Sequence, residues 1–252
     1  MDELRKSWES RAQTNRATLS GVLFQGLSEP ANRLIHVWHA WLIRQIFLTA
    51  LPQAGRVLDL GCGYGRVSQV VAAERPDLQI VGQDFAFEYC RLFADAFGQC
   101  VLADAAAPPF GDETFDGILA VTCFMYLRRP ELKRSLSALR NQLRPGGVLL
   151  AIDPGRELQR TIAFVRRSRS VTGGEGFRRG DYIDLFVDAG LNVVGQGGNP
   201  HLSLSLLLPG AARARSPAMV GWLERRARSD EAASGYSSWA LHRWVFARKE
   251  RA

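Results

Sequence analysis

From residue 56 onward the chain alternates short apolar runs with longer segments whose apolar residues recur every three or four positions. "RVLDLG" has the length of a buried strand, and "GRVSQVVAAERP" carries a helical repeat closed by Pro76. The order recurs as strand "LQIVGQD", helix "FEYCRLFADAFG" ending at Gly98, and strand "QCVLAD". Strand "FDGILAV", helix "PELKRSLSALRNQL", a turn at "RPGG" and strand "VLLAID" follow. Strands joined through single helices pair in parallel by right-handed crossovers, which places helices on both sheet faces. "YIDLFVDAGLNVVG" predicts a further helix and a sixth strand, and "WALHRWVFARKE" alternates as a closing strand. The fold class is therefore α/β, with ligands expected beyond the carboxyl ends of the strands.

The flanks follow a different pattern. Residues 1–50 read as helical and hold the aromatic stretch "NRLIHVWHAWLIRQIF" just before the first strand. This divides the chain into a helical N-terminal cap, 1–50, and a ligand-binding domain, 51–252. Within that domain 155–180 (a basic helix and the loop "TGGEGFRRGD") and 198–238 (a partly helical insertion before the last strand) are expected on the substrate side.

Composition narrows the class. The longest apolar runs, such as "GVLLAI" and "LSLLLPG", are too short to span a bilayer, and the charged start "MDELRKSWESRAQ" has no apolar signal region. Cys62, Cys90, Cys100 and Cys123 show no CxxC spacing, which argues against a zinc site or a disulfide framework and for a reduced, cytoplasmic protein without metal. The net charge is +7 and the basic residues are nearly all arginine, clustered in the C-terminal half as in "FVRRSRS" and "ERRARS". Such clusters suit nucleic acid, anionic lipid or a phosphorylated substrate, or are solvated helix faces. No aromatic interleaving accompanies them, which argues against nucleic acid. Peripheral membrane contact and a homodimer stay open.

The glycine turn "VLDLGCGYGR" carries the chemistry. Gly61, Gly63 and Gly65 let the strand turn sharply into the next helix. A nicotinamide fingerprint would place its third glycine where this chain has Arg66. Asp59, two residues before the first glycine, would repel a pyrophosphate and suits a ligand presenting an ammonium group. S-adenosylmethionine is such a ligand. Asp84 ends the second strand, where a carboxylate can accept both ribose hydroxyls, and Asp104 ends the third, within reach of an adenine amino group. Each acid alone also reads as a turn or helix cap; three at successive strand ends beside a glycine turn point to one ligand.

On "VLDLGCGYG", "VGQD", "ADAAAPPFGDETFDGILAV" and "LRPGGVLLAID", spanning residues 56–153, the sequence resembles the class I S-adenosylmethionine-dependent methyltransferases, and is similar to the small-molecule type that acts on ubiquinone and menaquinone precursors. The resemblance implies a Rossmann-like sheet of seven mostly parallel strands, the last antiparallel. It further implies cofactor contacts at Asp59, Gly61, Cys62, Gly63, Asp84, Phe85, Asp104 and Ala105, with Val121 and Thr122 lining the methionine side. Gln83 departs from the apolar residue the family often has before the acid.

Methyl transfer from a sulfonium is an in-line displacement that requires alignment and water exclusion, and a hydroxyl acceptor usually adds a base. His36 and His39 share a helix face, and with His201 and Tyr126 they are the candidates. The helix carrying Trp38 and Trp41 is either a lid over the acceptor or packing on the sheet. Cys123 lacks the adjacent proline that a nucleophilic cysteine would need, and neither an Asn/Asp-Pro-Pro-aromatic motif nor a metal-binding carboxylate cluster follows the fourth strand. The expected activity is methylation at oxygen or carbon of a small hydroxylated metabolite, lipid or glycan precursor. An RNA-modifying enzyme, or a protein that keeps the cofactor without transfer, are the alternatives.

Overall fold

A computed structural model describes residues 2–166, 174–232 and 239–251. The apolar runs form seven strands: β1 (Arg56–Leu60), β2 (Gln79–Asp84), β3 (Cys100–Leu102), β4 (Phe115–Val121), β5 (Leu143–Pro154), β6 (Asn192–Gly198) and β7 (His242–Arg248). They make one sheet ordered β3-β2-β1-β4-β5-β7-β6. β1 to β5 pair in parallel, and β7 runs antiparallel to both β5 and β6. The strand order reverses between β1 and β4, so a crevice opens at their carboxyl ends.

The helices are α1 (Asp2–Asn15), α2 (Leu19–Val22), α3 (Glu29–Leu42), α4 (Arg66–Glu74), α5 (Phe87–Phe97), α6 (Arg129–Gln142), α7 (Arg156–Arg166), α8 (Arg179–Asp188), α9 (Pro200–Ser205) and α10 (Pro217–Ala232). The strands' alternation sends Leu58, Leu60, Ile118 and Ala120 to one face, where they pack on Leu132 and Leu136 of α6 and Leu185 and Phe186 of α8. Val57, Leu119 and Val121 go to the other face, against Val67 and Val71 of α4, Trp38 of α3 and Phe47. Both faces are thus covered, as parallel pairing requires.

The structure adds to the sequence reading in two places and decides between its alternatives in a third. "RPGG" lies within β5, where the pairing with β4 jumps from Phe115–Leu143 to Gly117–Val148 and Gly146 takes φ +81°. The described part of the insertion from residue 198 packs on the helical cap: α9 and α10 meet α3 through Leu34, Ile35, Leu202, Leu206 and Leu223. The aromatic stretch is no lid, because Trp38 is 1% exposed in the core against the sheet. Part of the "TGGEGFRRGD" loop and residues 233–238 lie outside the described residues.

Candidate functional site

The site begins where β1 ends. Gly61, Gly63 and Gly65 all adopt positive φ (+71°, +54° and +86°), which a side chain would strain, and a Cβ at Gly61 would come within 2.8 Å of Cys123 Sγ. The Gly61 and Cys62 N–H groups both donate to the Gln83 carbonyl at 2.7 and 3.0 Å, which ties the turn to β2. The backbone therefore passes very close to whatever occupies the crevice.

Asp59, on β1, is 1% exposed and accepts from Ser68 Oγ on α4 at 2.7 Å. Burial raises its carboxyl to about pKa 6 despite that bond. Asp84 is 7% exposed; its Oδ2 accepts from the Gly63 N–H and its Oδ1 from the Ala86 N–H, each at 2.9 Å. Burial raises it, too, to about 6. Asp104 Oδ1 accepts from the Ala106 N–H at 2.8 Å, and Ser135 Oγ on α6 donates to the Ala105 carbonyl at 2.6 Å, fixing that loop. Thr122, just beyond β4, holds φ +55°, costly for a β-branched residue and of the kind that clusters at functional sites.

One cavity joins these groups. Asp59, Gly61, Cys62, Gly63, Asp84, Phe85, Asp104, Ala105, Val121, Thr122 and Tyr126 all line it.

The histidines lie elsewhere. Arg66, 5% exposed at the start of α4, donates from Nη1 to His36 Nδ1 at 2.9 Å and from Nη2 to His39 Nδ1 at 3.2 Å. A guanidinium can only donate, so His39 is neutral with its proton on Nε2, which faces His242 Nδ1 at 3.2 Å. Burial, the neighbouring imidazole of His242 and the Arg66 charge hold His39 well below the usual histidine range; burial first and then Arg66 lower His36 to about 4. Neither ring lines the cavity; Arg66 itself does. His201 lies on α9, where its N–H donates to Asp230 at 2.8 Å and its Nδ1 meets Arg226 at 3.4 Å. Of the proposed catalytic side chains, Tyr126 alone reaches the cavity. Cys123 also lines it, but burial and the surrounding carboxylates push its thiol well above the usual value, which disfavours the thiolate that a nucleophile needs.

The residues that sequence reasoning missed come chiefly from the N-terminus. Leu4 and Trp8 of α1 line the cavity, with Val22, Tyr89 and Leu127. Trp8 packs edge-on against Tyr126 with ring centroids 5.6 Å apart, and tilted against Tyr89 at 6.2 Å. Helix α5 starts after Ala86, which has no capping side chain; Glu9 of α1 supplies the carboxylate to the Phe87 and Glu88 N–H groups instead. Arg5 Nε donates to the Phe85 carbonyl at 3.0 Å. The available signal was the four-residue spacing of Leu4, Trp8 and Ala12.

The residues present fit S-adenosylmethionine. Asp59 suits an ammonium and Asp84 has acceptor capacity beyond its two backbone bonds. The buried Gln83 carboxamide, also in the lining, has neither polar atom hydrogen-bonded among the described residues. Among the described residues no group of three His, Cys, Asp or Glu could hold a metal, and no helix is long and apolar enough to cross a membrane.

Residues 57–147 match a family described as a methyltransferase domain. The chain is 28% identical to a demethylmenaquinone methyltransferase of Roseiflexus castenholzii over 62% of each chain. It is 36% identical to a malonyl-[acyl-carrier protein] O-methyltransferase of Methylococcus capsulatus over 48% of this chain and 45% of that one. It thus spans less than two thirds of the length of these relatives. Its fold is shared with an S-adenosylmethionine-dependent methyltransferase from Archaeoglobus fulgidus (TM-score 0.61, 15% identity, covering 85% of this chain and 94% of the other). The [4+2]-cyclase SpnF has it as well (TM-score 0.57, 19% identity, 86% and 80% covered).

Proposed function

From the premise that the chain carries a class I S-adenosylmethionine-dependent methyltransferase domain, we propose that it methylates an oxygen, or a carbon, of a small and largely apolar hydroxylated acceptor. The cofactor, when bound, supplies an electrophilic methyl on its sulfonium. In this reading Asp59 holds the amino group of its methionine moiety and Arg66 faces the carboxylate, so a zwitterion meets two opposite charges. Asp84 holds the ribose and Asp104 the adenine amino group; the glycine turn keeps side chains out of the way.

The observation that carries the acceptor reading is the apolar part of the same lining. Leu4, Val22 and Leu127 with the rings of Trp8, Tyr89 and Tyr126 form an apolar surface against the strand-end carboxylates. It excludes water and orients a flat acceptor. Tyr89 is committed to the Gly21 carbonyl at 2.7 Å, but the buried Trp8 indole N–H has no hydrogen-bond partner among the described residues. It is placed to donate to an oxygen of the acceptor. The relatives named for quinone and O-methyl transfer support an oxygen-bearing substrate class. Tyr126, beside Trp8, is the side chain we assign to the acceptor oxygen; His36 and His39 instead hold Arg66.

The test is Trp8→Phe, assayed with acceptors found by incubating the protein and labelled cofactor with fractionated metabolite extracts. The reading predicts a lower kcat/KM for the acceptor with cofactor affinity kept. Unchanged kinetics would place the acceptor elsewhere.

A further inference from the structure

Gln83 stands where the strand pattern calls for an apolar side chain. It is paired with Leu60 in the β1–β2 register, and alternation puts it on the face of Val81, Leu58 and Leu60, which are all core. It is 0% exposed, both Oε1 and Nε2 are buried without a hydrogen-bond partner among the described residues, and it lines the cavity. Its own carbonyl is spent on the glycine turn. Leaving a carboxamide unbonded in such a place is costly, so a polar side chain here is a liability unless the cavity's occupant bonds it.

The occupant's chemistry can be narrowed. Gln83 is followed by Asp84 on the opposite face, and β2 pairs with β3, beyond whose end lie Asp104 and Ala105. Gln83 is paired with Leu60 on one side and Val101 on the other, so it stands between the glycine turn and the Asp104 loop, where our reading puts the adenosine. A carboxamide offers one acceptor and one donor side by side in a plane, and adenine presents the complementary pair in its 6-amino group and N7. We propose that Gln83 is a specificity-determining residue for the cofactor, its Oε1 accepting from the adenine 6-amino group and its Nε2 donating to N7. This rests on the S-adenosylmethionine reading of the site. Asp104 takes the amino group's other hydrogen, so the base is read from two sides.

The experiment is calorimetric titration of S-adenosylhomocysteine and its 7-deaza analogue, in which N7 is replaced by C–H, into the wild type and Gln83→Met. Methionine is of similar volume and removes both polar atoms. The wild type should bind the 7-deaza analogue about tenfold more weakly than S-adenosylhomocysteine, the loss of roughly one buried hydrogen bond. Gln83→Met should lose about tenfold for S-adenosylhomocysteine and no longer distinguish the two ligands. The proposal is overturned if Gln83→Met binds S-adenosylhomocysteine as the wild type does, or if the wild type binds both ligands equally. Should Gln83→Met not fold, the wild-type comparison decides alone. A wild type that binds neither ligand would overturn the cofactor reading itself, a distinct outcome.

Discussion

Replacing Asp84 by asparagine should separate cofactor affinity from stability. The carboxylate is buried, with one oxygen on the Gly63 N–H and the other on the Ala86 N–H. Ionised, it keeps further lone pairs for the two ribose hydroxyls. A hydrogen bond to a charged group contributes about 1.5–3 kcal/mol, so losing one acceptor and the charge should raise the Kd of S-adenosylhomocysteine by roughly ten- to a hundredfold. Folding is affected otherwise. Burial raises this carboxyl from 3.8 to about 6, so keeping it ionised at pH 8 costs the folded state about 3 kcal/mol, which the amide does not incur. Against that stands an asparagine N–H facing the Gly63 N–H, a penalty of about 1–3 kcal/mol. The two nearly cancel. Isothermal titration with S-adenosylhomocysteine and a thermal melt at pH 8 should show a large loss of affinity at a nearly unchanged Tm. A folded variant with unchanged Kd would refute the ribose assignment, and a melt lowered in proportion to the lost affinity would refute the separation.

The other predictions follow from the same geometry. Cofactor affinity should be full above about pH 7 and fall as pH drops through 6, because Asp59 and Asp84 titrate near 6 without ligand and bind it ionised; a titration flat from pH 5 to 8 would contradict this. Asp153, fully buried between the Met125 N–H and the Tyr182 hydroxyl, is raised by burial to about 7. Its contribution to stability is present below pH 4 and lost as pH rises through 7, so Asp153→Asn should flatten the fall in Tm between pH 5 and 8, and an unaltered slope would count against it. His39→Gln should lower Tm while kcat for the acceptor is kept; abolished turnover in a folded variant would restore it as a candidate base. Glu9→Ala removes the carboxylate that caps α5 and should cost about 1 kcal/mol or more in stability and expose α1 to protease, with bound cofactor restoring protection.

How much of this was legible follows from how far each contact reaches along the chain. The succession of strands and helices and the acids at three strand ends come from patterns a few residues long, and the structure brings Asp59, Asp84 and Asp104 to one cavity. The role of α1 was hidden because Trp8 meets Tyr89 and Tyr126, far along the chain, and its Glu9 caps a helix it precedes by a whole sheet strand pair. His36 and His39 invited a catalytic reading by residue type, since nothing local says that Arg66 occupies their Nδ1 atoms. Arg66 itself registered only as a missing glycine. The helical insertion resembled a lid because an apolar helix face does not announce whether it meets a ligand or, as α10 does, another helix.

The account stands on methyl transfer, and the fold it shares with a [4+2]-cyclase makes the fate of the methyl group the decisive observable. The protein should be incubated with S-adenosylmethionine bearing a deuterated methyl and with metabolite fractions, followed by mass spectrometry. The account predicts S-adenosylhomocysteine formed in step with a small hydroxylated product that carries the intact labelled methyl on oxygen or carbon. A substrate isomerised or cyclised while the labelled cofactor is recovered whole would contradict it.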